Sequence, residues 1–247
     1  MNTIEKENLF SEASPKFKAR LVGVLLLLTI LAGIFAQGFV SEKLVNLNNA
    51  AATATNILNN ESFFRLGFAV YLFEMACQIF MTALFYQLLK PVNKSLALLA
   101  LVIGLAGCII KTFSRIFFLA PLLVLGNEQH LPGFTTEQLQ SLALVFLRIN
   151  DLGPTIPLFF FGLESVIEGY LILKSTFLPR FLGVIVMISG LGWLSFIHPP
   201  LGYKLFTFVA LVALIGAIMQ IFWLLVYGVN EQRWLEKARA AKQSIWN

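Results

Sequence analysis

Residues 95–125 read SLALLALVIGLAGCIIKTFSRIFFLAPLLVL, an apolar run whose only ionisable side chains are Lys111 and Arg115 (the thiol of Cys108 aside). A helix needs about 20 largely apolar residues to cross a bilayer, and this run is longer than that. A charge at the bilayer centre costs roughly 2.5–3.5 kcal/mol on insertion scales. Lys111 and Arg115 are four apart, so they share a helix face and repel. The stretch reads as a membrane span with a polar inner face that needs counter-charges from other segments.

Five more apolar segments flank it: 20–40, 63–89, 137–173, 177–197 and 203–228. Over the whole chain of 247 residues, 58% are hydrophobic and 13% charged, against about 25% charged in a soluble domain. The expected fold is an all-α integral membrane protein. A six-helix transmembrane bundle over 20–229 sits between a cytoplasmic N-terminal tail, 1–19, and an amphipathic cytoplasmic C-terminal tail, 230–247. The first run continues to Val40, longer than the roughly 7–15 residue core of a cleaved signal, and reads as a retained helix.

Basic residues mark alternate ends of the segments. Lys16, Lys18 and Arg20 precede the first, Lys90 and Lys94 join the second and third, and Lys174 and Arg180 join the fourth and fifth. Arg233, Lys237, Arg239 and Lys242 follow the sixth, while loops 41–62, 126–136 and 198–202 are poor in Lys and Arg. The positive-inside rule then puts both termini in the cytoplasm. Basic residues scattered this way are topology signals, so the net charge of +5 supports no nucleic-acid reading and no such partner is expected.

The third and fourth segments exceed a bilayer's thickness. Gly153, Pro154 and Pro157 predict a break over 151–157, which survives at membrane depth only under protein or beside a wet cavity. A short surface helix is expected over Ala50–Leu58. The tail from Asn230 is expected to prolong the sixth helix along the headgroups, with Trp234 and Leu235 on its apolar side.

Eight ionisable residues fall inside the apolar segments: Arg65, Glu74, Lys111, Arg115, Arg148, Asp151, Glu164 and Glu168. Short turns make neighbouring helices antiparallel, so depth follows from counting away from each turn. With turns centred near Val92 and Leu131, Glu74 lies level with Lys111, Lys111 with Asp151, and Arg115 with Arg148. The expected network is Glu74, Lys111, Arg115, Arg148 and Asp151. Its formal charge of +1 suits a ligand with an acidic head, which arginine's planar fork would grip. Arg65 lies further out, at the expected mouth.

Glu164 is placed near mid-membrane with Gln78 and Gln220 as its nearest polar neighbours. A desolvated carboxyl without a cation is a candidate general acid. Glu168, near Lys94 and Lys174, is expected to snorkel to the interface.

Nothing in the sequence carries a P-loop, a dinucleotide fingerprint, a nucleophile elbow or a zinc-binding helix motif. Cys77 and Cys108 read as small buried residues. No cofactor and no metal site is implied, and the oligomeric state is open. The leading expectation is a pocket for a small amphipathic or lipid-like molecule, with membrane lipid as the other partner. Three rivals stay open: an intramembrane enzyme using Glu164, a small transporter or channel, and an accessory subunit with a packed interior. A purely structural network is a fourth possibility, as is a hairpin over 116–150 projecting from the membrane.

The runs Ala50-Ala51-Ala52-Thr53-Ala54-Thr55-Asn56-Ile57-Leu58, Phe64-Arg65-Leu66-Gly67 and Leu88-Leu89-Lys90-Pro91-Val92-Asn93-Lys94 carry a resemblance. So do Leu96-Ala97-Leu98-Leu99-Ala100, Phe160-Phe161-Gly162-Leu163, Gly169-Tyr170-Leu171-Ile172 and Phe177-Leu178-Pro179-Arg180-Phe181-Leu182-Gly183. Together they resemble a bacterial family of multi-pass membrane proteins catalogued as domain of unknown function 4386. The resemblance implies a bacterial cytoplasmic-membrane location and a topology, and no activity. It also leads one to expect histidine at the positions of Asn150 and Glu164, where this chain departs.

Overall fold

The computed structural model describes residues 14–126 and 133–243; the tail before Ser14, His130 and the turn at Leu131 lie outside them. Every regular element described is helical. α1 (Pro15–Ile34) opens on Ser14, whose hydroxyl accepts from the Phe17 N–H. Pro15 stands at the first helical position, where an N–H has no partner in any case. The first span therefore starts earlier than residue 20. It ends in a π-helix over Phe35–Ser41 and a turn over Glu42–Leu44, an irregularity the sequence reading lacks.

α2 (Ala50–Asn59), capped by the Asn49 side chain, is the expected surface helix. α3 (Glu61–Leu89), α4 (Lys94–Leu125), α5 (Thr136–Leu152) and α6 (Thr155–Lys174) follow, then α7 (Arg180–Trp193), α8 (Pro199–Val226) and α9 (Glu231–Gln243). Six segments are long and apolar enough to cross a membrane, which makes this a multi-pass membrane protein. The fourth span is α5 and α6 in series, parted at Gly153 and Pro154 as the sequence predicts. α4 runs 32 residues without interruption, Pro121 included.

The spanning helices form a closed circuit. α1 packs on α3, α3 on α4, α4 on α6, α6 on α7, α7 on α8, and α8 returns to α1. α5 lies outside the circuit against α4, with α2 beside it. The tightest contact joins α6 and α7. A Cβ at Gly162, Gly169, Gly183 or Gly190 would come within 2.7–2.9 Å of a facing backbone carbonyl, the small-residue packing that lets helices touch backbone to backbone in lipid.

Two apolar clusters fill the ring's ends. One gathers Leu84, Leu88, Leu171, Phe177, Leu182 and Leu224; the other gathers Val40, Ile57, Phe64, Tyr71, Phe118 and Leu147. The basic connectors converge beside the first. The Trp234 indole donates to Leu88 O at 2.8 Å, the Asn230 N–H to Phe177 O at 3.0 Å, and Arg233 to Thr176 O at 3.2 Å. The tail therefore does not prolong the sixth span. The chain turns at Gly228, which has φ +66°, and α9 starts anew with Trp234 docked on the bundle.

Candidate functional site

Between the two clusters lies a layer of polar side chains. Lys111 Nζ donates to Glu74 Oε1 at 2.5 Å. That is the pair the level count predicts, and Gly33 of α1 passes close over the Glu74 carboxylate. Among the described residues the other ion pair is Arg65 with Glu61, one turn apart and exposed on α3. Arg65 is thus exposed and paired within its own helix.

Arg115 is buried, 3% exposed. It donates through Nη1 to Asn150 Oδ1 at 3.0 Å, and its guanidinium lies 3.7 Å over the Tyr71 ring. Both contacts suit a planar cation out of water. Tyr71 in turn donates to Gln37 Oε1 at 2.8 Å, inside the π-helix. A polar chain of Gln37, Tyr71, Arg115 and Asn150 thus crosses from the π-helix that ends the first span to α5. Asp151 is exposed, and Arg148 is exposed and donates to Leu47 O. Neither makes a hydrogen bond or ion pair to the network among the described residues, although the Asp151 carboxylate lies near enough to feel the Arg115 charge.

The reason is rotational. Counting from turns fixes height, but each residue advances a helix by about 100°. The buried positions of α5 are Leu139, Ala143, Leu147 and Asn150, an i, i+4, i+8, i+11 stripe. Arg148 and Asp151 stand off that stripe. We expect Asp151→Ala to alter unfolding free energy by no more than about 0.5 kcal/mol. Asn150→Ala should cost about 1–3 kcal/mol, because it strands a buried guanidinium N–H. Denaturant unfolding in mixed micelles measures both, and the reverse order would mean α5 is turned the other way.

A cavity of about 380 Å³ lies inside the ring, and all six spans line it. Its polar wall is Thr29, Glu74, Gln78, Lys111, Glu164, Ser165, Glu168, Ser189 and Gln220; Ile30, Phe85, Leu158, Phe161, Trp193 and Leu214 are among its apolar members. Ala210, Ala213, Ala217 and Gln220 repeat at helical spacing along α8, so short side chains leave the space that α6 then faces with Leu158, Phe161, Ser165 and Glu168.

Glu164 sits on the α4 side, 4% exposed, and accepts from the Thr82 hydroxyl at 2.9 Å. Gly104 makes room for it, since a Cβ there would overlap the carboxylate. Its hydrogen-bond partner is thus Thr82 of α3. Gln78 and Gln220 line the same cavity. Glu168 corrects a second expectation: it is 9% exposed and faces the cavity instead of reaching the interface. No donor or cation among the described residues pairs with it. Sequence reasoning missed Asn150, Tyr71, Gln37 and Thr82 as partners; the last three are polar residues flanked by apolar or small ones, and the Asn150 stripe was there to be counted.

Residues 21–228 match the family described as Domain of unknown function (DUF4386). The chain belongs to this family. An uncharacterised protein of Archaeoglobus fulgidus is 27% identical over 145 residues, covering 58% of this chain and 72% of the relative. No solved structure matches the chain. Family membership supports the multi-pass topology and supplies no reaction. Asn150 and Glu164, the two positions at which the resemblance leads one to expect histidine, are both buried in the polar layer.

Proposed function

We propose that this membrane protein binds a small amphipathic, lipid-like molecule in the cavity within its helix ring. One observation carries the reading: a cavity of about 380 Å³, in the size range of small-molecule sites, has carboxyl, amine and amide groups on part of its wall and Leu158, Phe161 and Trp193 on another. A soluble metabolite needs no apolar wall, and a purely apolar guest would leave the polar groups unpaired. An accessory subunit needs no interior space.

The acidic head group expected from the sequence loses its support. That expectation rested on Lys111 acting with Arg115 and Arg148. Arg115 stacks on Tyr71, Arg148 is exposed, and Lys111 is engaged by Glu74. The ligand's polar end therefore faces a wall dominated by carboxyl and amide groups.

Filling the cavity tests the reading. Ala217→Phe projects a ring into the space from α8 while keeping the polar groups. The expected result is a folded protein whose melting temperature no longer responds to amphiphiles that stabilise the parent. A panel that stabilises parent and filled variant equally would count against a pocket ligand.

An enzymatic reading has one point in its favour: Glu164 is a buried carboxyl, oriented by Thr82, on the wall of the same cavity. It would protonate a hydrophobic substrate held there.

A further inference from the structure

The carboxyl groups on the cavity wall outnumber the cations. Glu74, Glu164 and Glu168 face it with Lys111 alone. Lys111 is committed to Glu74, and Arg115 is turned away onto Tyr71 and Asn150. That leaves Glu164 and Glu168, one turn apart on α6, with no cation from the protein among the described residues.

One of these carboxyls and one further side chain point to a guest. Glu168 is 9% exposed and Gln220 8% exposed; both face the cavity, and neither has a hydrogen-bond partner among the described residues. Buried polar groups in native proteins are nearly always partnered. Here acceptors approach one space from two helices, Glu164 and Glu168 on α6 and Gln220 on α8. Three acceptors lining one cavity, with the second oxygen of Glu164 free of the Thr82 hydroxyl, suit an ammonium group, which has three donors and accepts nothing.

We propose that the ligand's polar end is a primary ammonium carried on an apolar body. The ammonium is held by Glu164, Glu168 and Gln220, and the body lies along Leu158, Phe161 and Trp193. This rests on the pocket reading above and names its chemistry. The same group is found on a free hydrophobic amine and on an aminolipid headgroup.

The test uses the full chain in phosphatidylcholine nanodiscs. Dodecylamine, dodecanol and dodecanoic acid share one tail and differ at one end. A fourth arm dopes the discs with phosphatidylethanolamine. We expect dodecylamine to raise the melting temperature by roughly 5–10 °C at a hundredfold excess over Kd, and the alcohol and acid to give little. Glu168→Gln keeps the shape, removes the charge, and should weaken amine binding about tenfold or more. Glu164→Gln serves if the first variant fails to fold.

Stabilisation by phosphatidylethanolamine as well, lost with the same variants, would identify the headgroup as a source; amine alone would identify a free amine. Equal responses to amine, alcohol and acid, all abolished by Ala217→Phe, would overturn the ammonium assignment and leave the pocket standing. Equal responses that persist in Ala217→Phe would overturn both.

Discussion

Lys111→Met lowers the unfolding free energy by about 3–5 kcal/mol, the usual consequence of removing one partner from a buried ion pair. The environment argues for the upper part of that range. Glu74 is 5% exposed, its Oε2 already lacks a protein partner, and Lys111 holds Oε1. Gly33 on α1 covers one side of the carboxylate, and the cavity that Glu74 and Lys111 both line is the route by which water could replace the lost ammonium. The double variant Lys111→Met with Glu74→Met should recover most of the loss, because a buried pair exchanged for apolar side chains is often near neutral. A four-member cycle of unfolding free energies in mixed micelles reads the coupling directly. If Lys111→Met alone costs less than about 1 kcal/mol, the pair behaves like a surface salt bridge and the layer is wetter than its burial implies.

The same pair explains why the sequence was informative about depth and poor about direction. Apolar run length and the basic connectors fix how many times the chain crosses and which ends lie together. From those two facts the height of every charge follows, and Glu74 meets Lys111 as counted. Azimuth needs the inward stripe of each helix, and a residue one place along the chain is turned by about 100°. Arg115 consequently meets Asn150 rather than Asp151, although the two are at nearly one level. Glu168 illustrates a different limit. Its height suits snorkelling, but it shares a face with Leu158, Phe161 and Ser165 that looks into the ring. Whether that face meets lipid or protein depends on α8 closing the circuit against α1, a long-range contact no local pattern announces. The π-helix at Phe35–Ser41 likewise presents Gln37 to Tyr71 of α3, a long-range contact.

Gly183→Val should be the most damaging single substitution in the bundle, and Gly183→Ala should already be severe. A Cβ at Gly183 would lie 2.7 Å from Gly169 O and 2.9 Å from Leu173 N. Both are backbone atoms of α6, so no rotamer change relieves the overlap and the helices must separate. Overpacking of an interior typically costs about 1–3 kcal/mol and occasionally more; a backbone-to-backbone collision belongs at the top of that range for alanine and beyond it for valine. The close approach is repeated one heptad along, where a Cβ at Gly162 would lie 2.9 Å from Gly190 O, so a wedge at one pair pries open the other. Gly38 is the control: nothing lies within 4 Å of a Cβ there, and Gly38→Ala in this helical segment should leave stability unchanged or raise it by up to about 1 kcal/mol. Elution as a single peak after stepwise heating in detergent measures all three, and a Gly183→Ala protein melting with the parent would mean that α6 and α7 are further apart than described. The consequence reaches the cavity, because α6 carries Glu164 and Glu168 and α7 carries Trp193. Separating the two helices pulls the acceptors away from the apolar wall, so a partly folded Gly183→Ala protein should also lose its response to amphiphiles.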